Sequence, residues 1–165
     1  MQRTAIAIAL LAAAALAWAR PHMLDVGTQA PNVNLPLFGN AGRHVSLDSL
    51  RGKVVLLDFW ASWCLPCVHN LPKLQEYATA FKDKPFRVIG VHYDATDFKQ
   101  NIALYLRDQG VLFPVAIDSG ETFKRFAITR LPTYVLIGKN GEIAAQSSEP
   151  PSREAIAALL DDASQ

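Results

Sequence analysis

The chain has 165 residues, 50% of them apolar and 19% charged, with 16 Lys and Arg against 15 Asp and Glu. That balance fits one soluble globular domain, and a net charge near zero supplies no positive field for nucleic acid or an acidic membrane surface. Two cysteines are too few for a multi-disulfide framework or an all-cysteine zinc site.

The N-terminus carries an export pattern. Arg3 is the only charge before 16 uncharged residues, Thr4 to Ala19, a run shorter than the ~20 that a spanning helix needs. It ends in Ala17-Trp18-Ala19, an A-x-A cleavage pattern. Residues 1–19 are therefore expected to be a signal peptide, or an uncleaved N-terminal anchor because Arg20 and Pro21 follow the cut. Residues 20–165 are expected to form one domain. Without residues 1–19 the charges balance, and the remaining length can build a core that needs no staple. The expected location is periplasmic, where a cysteine pair is either a structural disulfide or a redox device.

From Gly27 to Ser46 the chain is rich in Pro, Gly and Asn, and its apolar pieces at Val33 to Leu37 and His44 to Leu47 predict a hairpin-like extension. Leu47 to Leu50 predicts one helical turn stopped by Gly52. The continuous apolar run Val54 to Phe59, broken only by Asp58, predicts a strand buried on both faces. A helix is expected from Cys64 to Phe81 and a second buried strand from Phe86 to Tyr93. Phe98, Ile102 and Tyr105 mark another helix, closed by Gly110. A short strand at Val115 to Ile117, a short helix at Glu121 to Phe126 and a strand at Thr133 to Ile137 follow. Asn140-Gly141 then turns the chain into a strand over Glu142 to Gln146, and Ser152 caps a last helix that carries Glu154 in its first turn. Alternating strands and helices imply parallel pairing, whereas the final hairpin is antiparallel. The fold class is α/β with a mixed central sheet flanked by helices.

The chemistry is concentrated in Asp58-Phe59-Trp60-Ala61-Ser62-Trp63-Cys64-Leu65-Pro66-Cys67. Two cysteines three apart stand where a buried strand gives way to a helix. Unpartnered N–H groups and the positive end of the helix dipole stabilise a thiolate there, which predicts a lowered pKa for Cys64 and makes it the attacking sulfur. Cys67, one turn further in, is spaced to resolve the mixed disulfide. Pro66 stiffens the loop at little helical cost. Covalent haem attachment needs Cys-x-x-Cys-His, and here Val68 intervenes before His69. A metal site would need two more ligands, and an inert disulfide would close only a tiny loop. Redox exchange is the preferred reading, with no metal and no cofactor.

Phe59 to Cys67 resembles the thioredoxin active site. Pro72, five residues after Cys67, falls where thioredoxins carry a helix proline, and Leu131-Pro132-Thr133 falls where they carry a cis-proline before a strand. The Gly27-x-x-Ala30-Pro31 opening, the hairpin extension and the inserted helix with its strand Phe113 to Asp118 are similar to the exported TlpA/ResA/CcmG-like branch. The resemblance implies a thioredoxin fold with an N-terminal β-hairpin extension and an inserted helix–strand. It implies a cis Pro132 facing Cys64, and a Leu131 backbone that pairs with an extended substrate segment. Asp58 is a carboxylate inside a buried strand, so burial should raise its pKa and make it a proton acceptor for Cys67. Trp63 is expected to shield the site and, with Pro66 and Leu131, to form the substrate-binding surface, while Trp60 is expected in the core.

Members similar to ResA often carry a glutamate three residues after the second cysteine. Asn70 stands there in this sequence, so an acid–base role at that position is lost. His69 and His92 are read as surface or strand-end residues, and no peroxiredoxin-type cysteine pattern occurs. The leading expectation is an exported reductant of protein disulfides, apocytochromes c among them, fed by a membrane disulfide-reductase donor and acting as a monomer. An oxidant or isomerase of secreted proteins is the alternative on the same site. A non-catalytic binding or chaperone module that keeps its cysteines as a staple is the alternative from another class.

Overall fold

The structure is a computed structural model that describes residues 24–39, 42–93 and 99–162, with the backbone alone for residues 99–101. The expected signal segment and Phe98 lie outside the described residues. In chain order the elements are β1 (Asn34–Pro36), β2 (His44–Ser46), a 3-10 turn (Leu47–Leu50), β3 (Val54–Trp60), α1 (Leu65–Ala80), β4 (Phe86–Tyr93), α2 (Lys99–Asp108), β5 (Val115–Asp118), α3 (Glu121–Arg125), β6 (Thr133–Ile137), β7 (Ile143–Ser147) and α4 (Arg153–Asp161). Five strands form a mixed sheet in the order β5-β4-β3-β6-β7, and β1 and β2 form a separate antiparallel pair. β3, β4 and β5 run parallel, while β6 and β7 are antiparallel to their neighbours.

Every residue of β3 is buried, as an apolar run broken only by Asp58 demands of a central strand with both faces covered. Its period of two splits the core into two layers. Val54, Leu56 and Trp60 belong to one layer, packed with Leu71, Leu74 and Tyr77 of α1 and Ile156 of α4. Val55, Leu57 and Phe59 belong to the other, packed with Leu35 of β1, Leu47, and Phe123 of α3. Asp58 shares its parity with Leu56 and Trp60, so it faces the layer covered by α1.

Helix α1 buries Cys67, Val68, Leu71, Leu74 and Tyr77, a stripe at helical spacing. The helix continues through Pro72, which has no N–H to donate to the carbonyl of Val68. Ser152 caps α4 by accepting a hydrogen bond from the Ala155 N–H at 3.1 Å. The β6–β7 turn closes through Gly141 N–H to the Gly138 carbonyl at 2.9 Å, with Gly141 at φ +81°, a conformation that favours glycine. The strand expected over Glu142 to Gln146 begins and ends one residue later. Its pairing moves from Leu136 opposite Ala145 to Ile137 opposite Ile143, which leaves Ala144 as a bulge.

The N-terminal extension does more than pair with itself. Gly27 N–H donates to the Ile143 carbonyl at 2.8 Å and Ile143 N–H to the Thr28 carbonyl at 2.9 Å, on the β7 edge. Phe38 N–H donates to the Val115 carbonyl at 2.8 Å on the β5 edge. One segment thus reaches both edges of the five-stranded sheet and satisfies groups that would otherwise invite another strand.

Candidate active site

Strand β3 ends at Trp60, paired with His92 of β4, and the chain then turns through Ala61 to Trp63 into α1. Cys64 N–H donates to the Ala61 carbonyl at 3.0 Å, and Ser62 N–H donates to His92 Nε2 at 3.1 Å. Cys64 is the N-cap of α1, and its sulfur accepts a hydrogen bond from Cys67 N–H at 3.4 Å. The sulfur thus occupies the place of a capping oxygen, aimed at helix N–H groups that have no intrahelical partner.

Cys64 and Cys67 are joined as a disulfide with their Cα atoms 5.3 Å apart. Their environments differ. Cys67 is fully enclosed, while Cys64 keeps 6% of its surface, beside Trp63 at 68% and Leu65 at 69% exposure. Pro66 is also exposed. Solvent and a partner therefore reach Cys64 across an apolar rim, and Cys67 only through Cys64.

Below the dithiol the sheet holds a small polar cluster. Asp58 is fully buried and neither of its carboxylate oxygens has a hydrogen-bond partner. Burial pushes its carboxyl well above the ordinary carboxylate range, because a charge without water or partner is disfavoured. Tyr134 lies directly opposite Asp58 in the β3–β6 register and belongs to the same core layer as Cys67. Its hydroxyl is held above the ordinary phenol range, first by burial and then by the Asp58 charge, while a hydrogen bond from Asn70 acts the other way. Asn70 Nδ2 donates that bond to the Tyr134 oxygen at 3.1 Å. On its other side Asp58 is paired with Gly90. A Cβ there would stand 3.0 Å from Trp60 Nε1 and 3.2 Å from Val115 Cγ2, so the glycine admits the indole.

The second wall of the site is the loop entering β6. The Leu131–Pro132 peptide is cis, and the last β3–β6 pair is Phe59 with Thr133. Pro132 thus lies at the sheet end from which β3 leads to Cys64. Leu131 makes no hydrogen bond through its N–H or carbonyl to another backbone group among the described residues, which leaves both available to an extended segment. A groove of about 470 Å³ runs along this wall, lined by Trp63, Phe123, Lys124, Ile128, Arg130 and Leu131 among others.

Of the residues singled out from sequence, the fold joins Cys64 to Cys67 and sets both in the core layer that Asp58 faces, and it brings Leu131 and Trp63 together on the groove. Trp60 is in the core as expected, and His69 is exposed. His92 stands at a strand end as expected, and only its placement on the surface is corrected. It is the penultimate residue of β4, but it is buried and holds the loop before Cys64, with its ring 4.6 Å from that of Trp60. Sequence reasoning also missed Tyr134, whose place beside Asp58 depends on the β3–β6 register, and the basic side chains of the groove. Among the described residues no group of three or more His, Cys, Asp or Glu could hold a metal ion, and no helix is long and apolar enough to cross a membrane.

A model of the Redoxin family matches residues 25–161. The chain is 31% identical over 144 residues to thiol-disulfide oxidoreductase ResA of Bacillus anthracis, covering 87% of this chain and 81% of that one. Its fold is similar to that of a candidate thiol:disulfide interchange protein DsbE from Chlorobium tepidum, with a TM-score of 0.74, 33% identity, and coverage of 83% of this chain and 99% of that one. A candidate protein disulfide isomerase from Bacteroides thetaiotaomicron is similar at a TM-score of 0.69 and 28% identity, over 84% and 87% of the two chains. A capped cysteine pair at a helix start and these likenesses lead to one conclusion: the chain belongs to the Redoxin family, as a thioredoxin-fold thiol–disulfide oxidoreductase of the TlpA/ResA/CcmG-like group.

Proposed function

We propose that the protein is an exported reductant of disulfides in other proteins, with apocytochromes c among its substrates and a membrane disulfide reductase as its electron donor. The observation that carries this reading is the asymmetry of the dithiol, one sulfur at the rim beside exposed Trp63 and the other enclosed in the core layer that Asp58 faces. In the reduced protein the Cys64 thiolate, stabilised by the Cys67 N–H and the start of α1, attacks a substrate disulfide. A mixed disulfide forms and one substrate sulfur leaves as thiolate. Asp58 then takes the proton from Cys67, whose sulfur attacks Cys64 and releases the second substrate sulfur. Two electrons pass to the substrate, and the Cys64–Cys67 disulfide awaits the donor. Leu131 offers the substrate a strand-like backbone partner beside cis Pro132. Residues 1–19 serve as signal peptide or anchor, and residues 20–165 as the working domain. The bonds that the extension makes on both sheet edges favour a monomer.

An oxidant or isomerase would use the same atoms in the opposite sense, a reading supported by the likeness to the Bacteroides protein. The common site is tested by trapping. Cys67→Ser is expected to accumulate mixed disulfides between Cys64 and partner proteins, read as reductant-sensitive high-mass bands. Equal trapping by Cys64→Ser would overturn the assignment of attacking and resolving sulfurs.

A further inference from the structure

The described residues that line the groove beside Trp63 carry positive charge alone. The floor is apolar, from Trp63 and Leu131 at the dithiol end to Phe123 and Ile128, and Lys124 and Arg130 stand over it. Both cations are exposed, and neither forms an ion pair among the described residues. Among the described residues no carboxylate lines the groove. Asp118, the nearest acid in the preceding strand, is buried and accepts hydrogen bonds from the Gly120 N–H at 2.7 Å and the Thr122 N–H at 3.1 Å, so it is turned into the start of α3. From Glu121 to Arg130 the chain carries Lys124, Arg125 and Arg130 against the single acid Glu121, whereas the whole chain is close to neutral.

We infer that this groove selects, as substrate, an extended polypeptide segment that carries an apolar residue next to its disulfide cysteine and an Asp or Glu within a few residues of it. The apolar neighbour rests against Trp63 and Leu131, and the acid meets Lys124 and Arg130. The inference rests on the redox reading above and adds to it the kind of segment that is reduced. Unpaired cations at a rim steer encounter and orient the partner more than they add affinity, so the preference belongs in the second-order rate constant and is sensitive to salt.

The test uses two disulfide-linked peptides, identical except for Glu or Lys at the positions flanking an apolar-cysteine pair. The reduced protein, in excess over peptide and oxidised once per disulfide reduced, is expected to reduce the Glu peptide with a second-order rate constant about tenfold higher at low ionic strength, and the gap should shrink in salt. Lys124→Glu with Arg130→Glu is expected to reverse the order, and Lys124→Gln, a milder change at an exposed site, to narrow the gap. Equal rates for the two peptides at low salt, or preference for the Lys peptide, overturns the inference and leaves the oxidoreductase intact. Failure to reduce either peptide overturns the redox reading and the inference with it.

Discussion

Asp58 is the residue at which fold and chemistry conflict. A carboxylate with no partner, enclosed between β3 and α1, destabilises the fold whenever it is ionised. Its folded pKa lies above the unfolded value of about 3.9, so across that interval the native state holds more protons than the unfolded state. Stability therefore falls as pH rises from about 4 to the folded pKa, with a limiting slope of about 1.4 kcal/mol per pH unit, and is flat above it. Asp58→Asn cannot ionise. It is expected to be more stable than the parent at neutral pH, with the advantage vanishing near pH 4, as read from urea midpoints across pH. The same change is expected to slow resolution of the mixed disulfide about a hundredfold at neutral pH, the size of a lost general base. A mutant that loses stability at neutral pH and resolves at the parental rate would remove Asp58 from the mechanism.

At the scale of elements, strand β3 and helix α1 are legible in the sequence because their signals are local and continuous. An apolar run broken only by Asp58 marks the strand from Val54 onward, and Pro66 between the two cysteines marks the first turn of a helix. The pairs that join elements are less legible. Tyr134 reaches Asp58 only through the β3–β6 register, and His92 reaches Ser62 only because β4 lies beside β3. No local pattern encodes either contact. The extension is legible as a hairpin but not as a clamp, since its bonds to Ile143 and Val115 join residues far apart in the chain. Its anchor is Leu35, fully buried against the α3 side of the sheet. Leu35→Ala is expected to cost about 3 kcal/mol, measured by chemical denaturation. A loss below ~1 kcal/mol would mean that the extension is not packed into the core.

The whole molecule combines a net charge near zero, a sheet whose two edges are each touched by the N-terminal extension and a dithiol at one end. A net charge near zero supplies no broad electrostatic field to draw partners in. Direction of electron flow belongs to this scale, because it depends on the balance between the thiolate at Cys64 and the enclosed sulfur at Cys67 against the partner. The most direct measurement is the reduction potential of the Cys64–Cys67 couple in protein lacking residues 1–19, equilibrated with defined thiol–disulfide buffers. A reductant is expected near the thioredoxin value of about −270 mV, whereas a value near that of DsbA, about −120 mV, would make the protein an oxidant and contradict the proposed function.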